Sequence, residues 1–143
     1  MTEIRVCFVD TLALRRAAGG GALEVLLLRR AAGSGRSPGS WETVHGTIEP
    51  GETPVEASLR ELREETGYTP ERLYNLSRTE AFYQHQSDVL AVIPVFAAFV
   101  PARGDPRLSP EHDRAEWLPP AEAAERVSWP RERRALEDVL RVS

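Results

Sequence analysis

The sequence has no lysine, one cysteine and no long apolar run, and each scarcity narrows what the protein can be. All 18 basic residues are arginine, which fits either a GC-rich genome or a use of guanidinium groups to bind phosphate. Cys7 has no partner for a disulfide within the chain, so we expect a small core residue in a reducing compartment. The longest apolar stretch, residues 89–100, is shorter than the ~18 residues of a membrane span. No signal peptide is evident, and we expect a cytoplasmic protein without a membrane partner.

Positive charge is scarce relative to negative charge. The chain carries 22 acidic and 18 basic residues, a net charge of −4, whereas a general nucleic-acid binder needs a basic face to neutralise phosphates. This balance argues against a stable nucleic-acid partner and against an enzyme that removes RNA caps. A length of 143 residues with 41% hydrophobic composition predicts one domain over residues 1–143.

Strands and helices are predicted in an irregular order. Two segments rich in branched residues, 4–14 and 23–30, flank three glycines at 19–21, which predicts a β-hairpin. Residues 89–100 predict a strand covered on both faces, with a bulge or an edge at Pro94 because proline lacks the ladder donor. The absence of regular β-α-β alternation favours an α+β fold, a mixed α/β/α sandwich. Further extended segments are expected at 41–48, 72–83 and 115–118, and helices at 119–127 and 130–141.

Capping signals predict a helix between residues 53 and 67. Thr53 is a suitable N-cap, Pro54 suits the first helical position, and Glu56 completes a capping box. Gly67 is placed to end the helix in the left-handed conformation. One apolar stripe at helical spacing is expected to face the core. It consists of Val55, Leu59 and Leu62.

Three carboxylates crowd the last turns of this helix. At about 100° per residue, Glu61, Glu64 and Glu65 fall within an arc of roughly 100° that lies off the apolar stripe. They repel one another and lie beside the negative end of the helix dipole, which costs about 0.3–1 kcal/mol each. Either the helix exposes a solvated acidic face, or a divalent cation binds between the carboxylates. Oxygen ligands of this kind select Mg²⁺ or Mn²⁺, and Mg²⁺ commonly shares its coordination with substrate phosphates.

The loop before the helix is compatible with a ligand site. Gly46 and Gly51 bracket a tight bend, where glycine serves either plain turn geometry or a close approach of the backbone to a ligand. Glu52 is placed to pair with Arg60, which would fix the loop on the helix.

This run resembles the Nudix box, Gly-x5-Glu-x7-Arg-Glu-U-x-Glu-Glu-x-Gly-U, in which U is a bulky apolar residue. The resemblance implies a mixed sheet between helices, with the box as a loop-helix-loop, and hydrolysis of a nucleoside diphosphate linked to a further moiety. It also implies that the box glutamates and the carbonyl of Gly46 bind divalent cations and that Arg60 orients the carboxylates. Tyr68, at the last position, is bulky but partly polar. The matching residues are Gly46, Glu52, Arg60, Glu61, Leu62, Glu64, Glu65 and Gly67.

A narrower resemblance points to the dihydroneopterin triphosphate pyrophosphatases, also described as dATP pyrophosphohydrolases. It implies that Glu111, which precedes His112, is a further metal ligand rather than a surface charge. Residues 31–40 depart in length from that branch. The segments that carry the resemblance are 28–30, 41–46, 111–118 and 128–133.

Five further residues are predicted to contact the substrate. Arg29 and Arg30 follow an apolar strand and are placed to reach phosphates, although solvation of a strand end also explains them. Trp41 either stacks on a base or packs beneath the box. Tyr83 and His85 lie near a strand end, where they line a base pocket or stay on the surface.

Two classes of function are compatible with these residues. The first is Mg²⁺-dependent (or Mn²⁺-dependent) hydrolysis of a phosphoanhydride bond in a nucleoside triphosphate, a dNTP or dihydroneopterin triphosphate, releasing pyrophosphate, with a glutamate as general base. Dinucleoside polyphosphates and nucleotide sugars are alternative substrates. The second class is a non-catalytic module that binds nucleotides. The intact acidic box favours the enzyme, and a homodimer is compatible with the sequence.

Overall fold

The computed structural model describes residues 1–17, 19–35, 37–101 and 104–142. Within these ranges eight strands form one mixed sheet, and three helices pack on its two faces, which confirms the predicted α+β sandwich. The strands are β1 (Glu3–Val6), β2 (Phe8–Arg16), β3 (Leu23–Arg30), β4 (Trp41–Glu42), β5 (Val44–Thr47), β6 (Arg72–Gln84), β7 (Val89–Phe99) and β8 (His112–Leu118). The helices are α1 (Pro54–Thr66), α2 (Pro120–Arg126) and α3 (Pro130–Val142).

Strand β7 lies inside the sheet between antiparallel β6 and the parallel strands β1 and β2. The predicted hairpin is present as β2–β3, but the first predicted segment, residues 4–14, is divided at Cys7 into β1 and β2. Strand β2 also pairs antiparallel with β5. Beyond β3 lie β4 and β8, both antiparallel to it. This order brings β5, which carries the start of the box, next to the centre of the sheet.

The predicted irregularity at Pro94 is present. Strand β6 slips in register between Asn75 and Thr79, immediately before Thr79 pairs with Pro94. On the other side, Pro94 falls in the gap between the β1 pairing, which ends at Val92, and the β2 pairing, which starts at Val95. Because proline has no N–H to donate, this gap accommodates it in an interior strand.

Side-chain alternation along the strands assigns residues to the two faces of the sheet. Thr11 of β2 hydrogen-bonds Ser58 of α1, whereas its neighbour Asp10 contacts Arg131 of α3. The stretch from β4 to β5 alternates in the same way, with three residues directed to each face. Glu42, Val44 and Gly46 lie on the α1 side, and Trp41, Thr43 and His45 lie on the α3 side.

The caps of α1 are those predicted. The Thr53 hydroxyl accepts the Glu56 N–H at 3.2 Å, the Glu56 carboxylate accepts the Thr53 N–H at 3.0 Å, and Gly67 ends the helix with φ 78°. The predicted apolar stripe is wrong in part, because Val55 is 44% exposed. Small residues let the helix approach the sheet on a rotated face, so Glu65 is buried rather than solvated. The buried face consists of Ala57, Ser58, Leu62, Glu65 and Thr66.

On the other face, α2 and α3 cover the larger hydrophobic core cluster. Leu136 and Val139 of α3 are buried, as expected, whereas Leu140 is 41% exposed. Among the helices described here, none combines the length and the apolar character needed to cross a bilayer.

Candidate active site

Arg60, midway along α1, contacts three carboxylates of the box. Its guanidinium donates to both oxygens of Glu52, at 2.7 and 2.9 Å, and to the carbonyl oxygen of Thr47 at 2.8 Å. It also donates to Glu61 at 2.8 Å and to Glu64 at 3.2 Å. The paired hydrogen bonds lower the pKa of Glu52 to about 2 and raise the pKa of Arg60. The predicted Glu52–Arg60 pair is therefore confirmed, and it ties the loop to the helix.

Glu65 is the buried carboxylate of the box. It is 2% exposed, and neither of its oxygens accepts a hydrogen bond within the described residues. Burial raises its pKa well above the ordinary value, and the negative charges of Glu61, Glu111 and Glu42 raise it further. A buried carboxylate without a donor is costly unless a proton or a cation compensates it. This environment favours a cation site over a solvated acidic face.

Gly46 lies directly against Glu61. A Cβ atom at position 46 would lie 2.1 Å from Cδ and 2.3 Å from Cγ of Glu61, so no larger residue fits without moving that side chain. Burial raises the pKa of Glu61, although the hydrogen bond from Arg60 opposes the rise. The glycine thus permits close approach between β5 and the acidic helix, a packing role that differs from both the turn geometry and the approach to a ligand considered for this position.

Glu42 and His112 join Glu65 in a buried cluster, and the sequence interpretation selected neither as a site residue. His112 Nε2 lies 2.8 Å from Glu42 Oε2, and His112 Nδ1 lies 3.7 Å from Glu65 Oε1. One potential ligand atom from each of the three residues lies within 4.8 Å of the others. Burial alone would raise the pKa of Glu42, but the His112 hydrogen bond and the Arg30 charge leave it lowered. Alternation along residues 41–46, which places Glu42 on the same side as Gly46, was the signal that could have found it.

A cavity of about 380 Å³ opens beside this cluster. One wall is aromatic: Phe82 stacks on Phe8 with centroids 5.8 Å apart, and Phe8 stacks on His45 at 5.4 Å. Glu42 belongs both to the buried cluster and to the cavity wall, so the two regions adjoin. The lining includes Arg30, Glu42, His45, Phe82, Trp129 and Arg131.

The guanidinium groups that line the cavity are each matched by a carboxylate. A paired cation has less capacity to bind several phosphate charges than an unpaired one, so this cavity suits an uncharged heterocycle. The pairs are Arg30–Glu42, Arg131–Asp10 and Arg134–Glu80, with N–O distances of 3.2, 2.8 and 2.8 Å.

The remaining predicted residues divide between the site and the surface. Glu111 is exposed directly before β8, and its charge contributes to the raised pKa of Glu65, so the two carboxylates are near each other. Arg30 lines the cavity. Arg29 instead pairs with Asp113 at 2.8 Å, outside the cavity lining.

Three predicted substrate contacts are not brought to the cavity. Trp41 packs against the core cluster on the α3 side, with the Arg126 guanidinium 5.1 Å from its ring centroid. Tyr83 and His85 lie at the exposed end of the β6–β7 hairpin, where the Tyr83 hydroxyl donates to Asp88 at 2.6 Å. None of these three side chains is among the residues that line the cavity.

Comparison with known proteins places the chain in a family. The NUDIX domain family model matches residues 9–139. The chain belongs to the NUDIX domain family. The match extends from β2 into α3 and includes the whole acidic box, so the predicted Nudix fold and the predicted Nudix hydrolase are confirmed at the level of the family.

Several solved structures share the fold of this chain. The Ap4A hydrolase of C. elegans, in a binary complex, is 23% identical with a TM-score of 0.75, covering 94% of this chain and 95% of that one. The NUDIX domain of Shewanella oneidensis NrtR, complexed with ADP ribose, is 19% identical with a TM-score of 0.76, covering 100% and 90%. The dihydroneopterin triphosphate pyrophosphohydrolase of E. coli is 24% identical with a TM-score of 0.71, covering both chains fully. At these identities the likeness concerns the fold, and the dihydroneopterin branch is one of several neighbours.

A curated relative is larger than this chain. The protein named "Octanoyltransferase" from Myxococcus xanthus is 34% identical over 96 residues, which are 62% of this chain and 25% of that protein. The chain thus spans about a quarter of the length of this relative.

Proposed function

We propose that this NUDIX protein hydrolyses a phosphoanhydride bond in a nucleoside triphosphate or a related compound, a dNTP or dihydroneopterin triphosphate, and releases pyrophosphate. The observation that carries the proposal is the buried carboxylate of Glu65, which has no hydrogen-bond partner in the described ranges and lies beside the carboxylates held by Arg60. A cavity with an aromatic wall adjoins this acidic cluster. A polyphosphate attached to a heterocycle has the chemistry to occupy both regions.

The residues present fit a divalent cation, Mg²⁺ or Mn²⁺. Glu65 offers two buried oxygens without a donor, and the other candidate ligands are also oxygens, which hard cations prefer. A bound cation would neutralise phosphate oxygens and lower the pKa of the attacking water. The residues proposed to hold it are Glu61, Glu64, Glu65, Glu111 and the carbonyl of Gly46.

Arg60 has a positioning role in this proposal. Its guanidinium fixes Glu61 and Glu64 relative to Glu52 through hydrogen bonds of 2.7–3.2 Å. Glu65 Oε1 lies 3.7 Å from Nδ1 of His112, beyond hydrogen-bond distance, and the other ring nitrogen of His112 lies 2.8 Å from Glu42 Oε2. The carboxylates are therefore arranged before substrate arrives, and a glutamate of the box accepts the proton of the attacking water.

The cavity is proposed to hold the heterocycle. Phe82 and Trp129 offer aromatic surface, and the paired guanidinium groups leave little net charge. The phosphates would then extend past Glu42 toward α1. Of the five residues predicted to contact the substrate, this placement brings only Arg30 next to the heterocycle. The other four, Arg29, Trp41, Tyr83 and His85, would not touch it.

A hydrolysis screen tests the proposal. Purified protein with Mg²⁺ or Mn²⁺ is incubated with dNTPs, dihydroneopterin triphosphate, diadenosine tetraphosphate and ADP-ribose, and products are identified by ³¹P NMR. We expect a triphosphate to yield a monophosphate and pyrophosphate. The exposed α2 variant Glu122→Gln serves as a control with normal turnover. Absence of turnover with every compound, combined with retained nucleotide binding, would instead establish a non-catalytic module.

Cytoplasmic location and a homodimer stay predictions. Size-exclusion chromatography with light scattering of the full chain would decide the oligomeric state.

A further inference from the structure

His45 lines the cavity and is held by a buried carboxylate. Its Nδ1 lies 2.6 Å from Oδ1 of Asp10, which is 3% exposed, and its ring stacks on Phe8. Arg131 donates through Nε to the other Asp10 oxygen at 2.8 Å. The stack on Phe8 therefore fixes the orientation of the imidazole plane, and the contact with Asp10 fixes the direction of Nδ1 within that plane.

The hydrogen bond to Asp10 determines which ring nitrogen of a neutral His45 carries the proton. An ionised carboxylate only accepts hydrogen bonds, and its contact with Nδ1 at 2.6 Å is shorter than the 3.2 Å between Nδ1 and Arg131 Nη2. In the neutral ring Nδ1 therefore donates to Asp10, and Nε2 is left as an acceptor. Burial alone would raise the pKa of Asp10, but the hydrogen bond from His45 and the charge of Arg131 leave it below the ordinary value. Nε2 has no partner within the described residues.

The cavity otherwise offers few uncommitted acceptors. Glu42, the carboxylate in its lining, already accepts from Arg30 at 3.2 Å and faces His112 Nε2 at 2.8 Å. The guanidinium groups only donate, and the side chains of Phe82 and Trp129 have no acceptor atom, which leaves the Ser37 hydroxyl as the other side-chain acceptor in the lining. An unpaired imidazole nitrogen in such a wall would be matched by a donor on the edge of the bound heterocycle.

We propose that Nε2 of His45 accepts a hydrogen bond from an exocyclic amino group of the substrate heterocycle, which makes the Asp10–His45 pair a specificity-determining element. This inference rests on the proposed function, in which the heterocycle occupies this cavity. The favoured substrate class is an amino-bearing purine or pterin, and analogues that lack the amino group are disfavoured because the acceptor is then left without a partner.

The test compares kcat/KM for substrate pairs that differ by one amino group: dATP against deoxypurine triphosphate, and dGTP against dITP. In the wild-type protein we expect the amino-bearing member of at least one pair to be preferred by about tenfold. His45→Phe keeps the stack on Phe8 but removes the acceptor, so the preference should fall to within twofold. His45→Gln, whose amide oxygen can accept, should keep part of it.

The variant Asp10→Asn tests independently whether Asp10 determines which ring nitrogen of His45 carries the proton. An amide in this position donates to Nδ1, which moves the ring proton to Nε2 and converts the acceptor into a donor. ¹⁵N NMR of the full chain should show the Nδ1–H tautomer in the wild type and the Nε2–H tautomer in Asp10→Asn, without any need for turnover. The amino preference should be lost in this variant as well.

The outcomes separate this inference from the proposed function. Equal kcat/KM for both members of each pair in the wild type, or an unchanged preference in His45→Phe, overturns the role of His45 while hydrolysis stands. If no triphosphate is hydrolysed, the proposed function fails. Metal-free calorimetry with dAMP against deoxypurine monophosphate, and dGMP against dIMP, then decides the inference: a preference that His45→Phe abolishes supports it, and equal affinities overturn it.

Discussion

The two faces of the sheet treat buried charge differently. On the α1 side, Glu65 accepts no hydrogen bond from the part of the chain that the structure describes, and it lies near the carboxylates of Glu61 and Glu111. On the α3 side, Asp10 is equally buried but is held by His45 at 2.6 Å and by Arg131 at 2.8 Å. One buried acid therefore lacks compensation, whereas the other has two partners.

This difference indicates what each face is suited to bind. A carboxylate cluster with too little positive charge around it is stabilised when a cation binds. The repulsion between the carboxylates in the metal-free protein therefore favours cation binding. The network around Asp10 is already satisfied and has nothing to gain from a cation. It instead holds fixed hydrogen-bonding groups in the cavity wall, where an uncharged ligand can be recognised without a large cost of ordering side chains.

Substitution of Glu65 should produce the largest effect. We expect Glu65→Gln to lower kcat/KM by about 10²–10³-fold, because the proposed cation loses a negatively charged ligand and with it part of the stabilisation of the reacting phosphate. The same change should raise the free energy of unfolding in EDTA at neutral pH. Glu65, with its raised pKa, must there either hold a proton that the unfolded chain has released or carry a buried charge without a partner, and the amide avoids both costs. Steady-state kinetics with Mg²⁺ and urea unfolding with EDTA measure the two effects.

The control for this substitution is Glu122→Gln, which alters an exposed acid of α2 and should change neither quantity. Normal turnover in Glu65→Gln, or a loss of metal-free stability, would show that Glu65 does not belong to an uncompensated cation site.

Gly46→Ala is expected to have the next largest effect. The new methyl group would lie 2.1–2.5 Å from Glu61 atoms, so the Glu61 side chain must leave its place beside Arg60. Activity should fall by about tenfold to a hundredfold, as when a positioning contact is lost. Gly33→Ala is the matched control, because a Cβ atom there meets nothing within 4 Å and its φ is not positive. Equal kinetics in the two variants would contradict the close approach of β5 and α1.

Local signals were sufficient to predict α1 and its box. Thr53, Glu56 and Gly67 act within one or two turns of the helix, and the Glu52–Arg60 pair spans eight residues. Such contacts depend little on how distant segments pack, so the spacing of residue types predicts them correctly.

The cavity depends on contacts between distant segments. His45 meets Arg131 across 86 residues and Glu42 meets His112 across 70, and no local pattern announces either contact. Trp41 and Tyr83 have the residue types expected in a base pocket, but strand register directs one into the core and leaves the other on a hairpin surface. The burial of Glu65 was missed for a related reason, since Ala57 and Ser58 rather than Val55 define the face that packs on the sheet.

Glu132 is a buried acid on the α3 side that is only partly compensated. It provides the test with the smallest expected effect of the difference between the two faces of the sheet. It is 1% exposed and accepts hydrogen bonds from the N–H and hydroxyl of Thr43, but its Oε1 has no partner within the described residues. Burial, followed by the negative charge of Asp10, raises its pKa to about 8, although the Thr43 hydrogen bonds oppose the rise. Near neutral pH its carboxyl group is therefore largely protonated in the folded protein.

The effect on stability follows from this raised pKa. Between the ordinary value of 4.5 and about 8, the folded protein holds a proton that the unfolded chain has released, so this contribution to stability is complete at low pH and declines as the pH rises. Glu132→Gln cannot titrate at this position. As the pH rises across this window, the free energy of unfolding of the variant minus that of the wild type should increase by up to about 1.4 kcal/mol per pH unit, and above the window this difference should stay constant. Urea unfolding in EDTA from pH 5 to 8.5 measures the difference, with Glu137→Gln on the exposed face of α3 as the control. Parallel curves for wild type and Glu132→Gln would mean that Glu132 is ionised in the fold, and the α3 side would then contain an uncompensated acid of the same kind as Glu65.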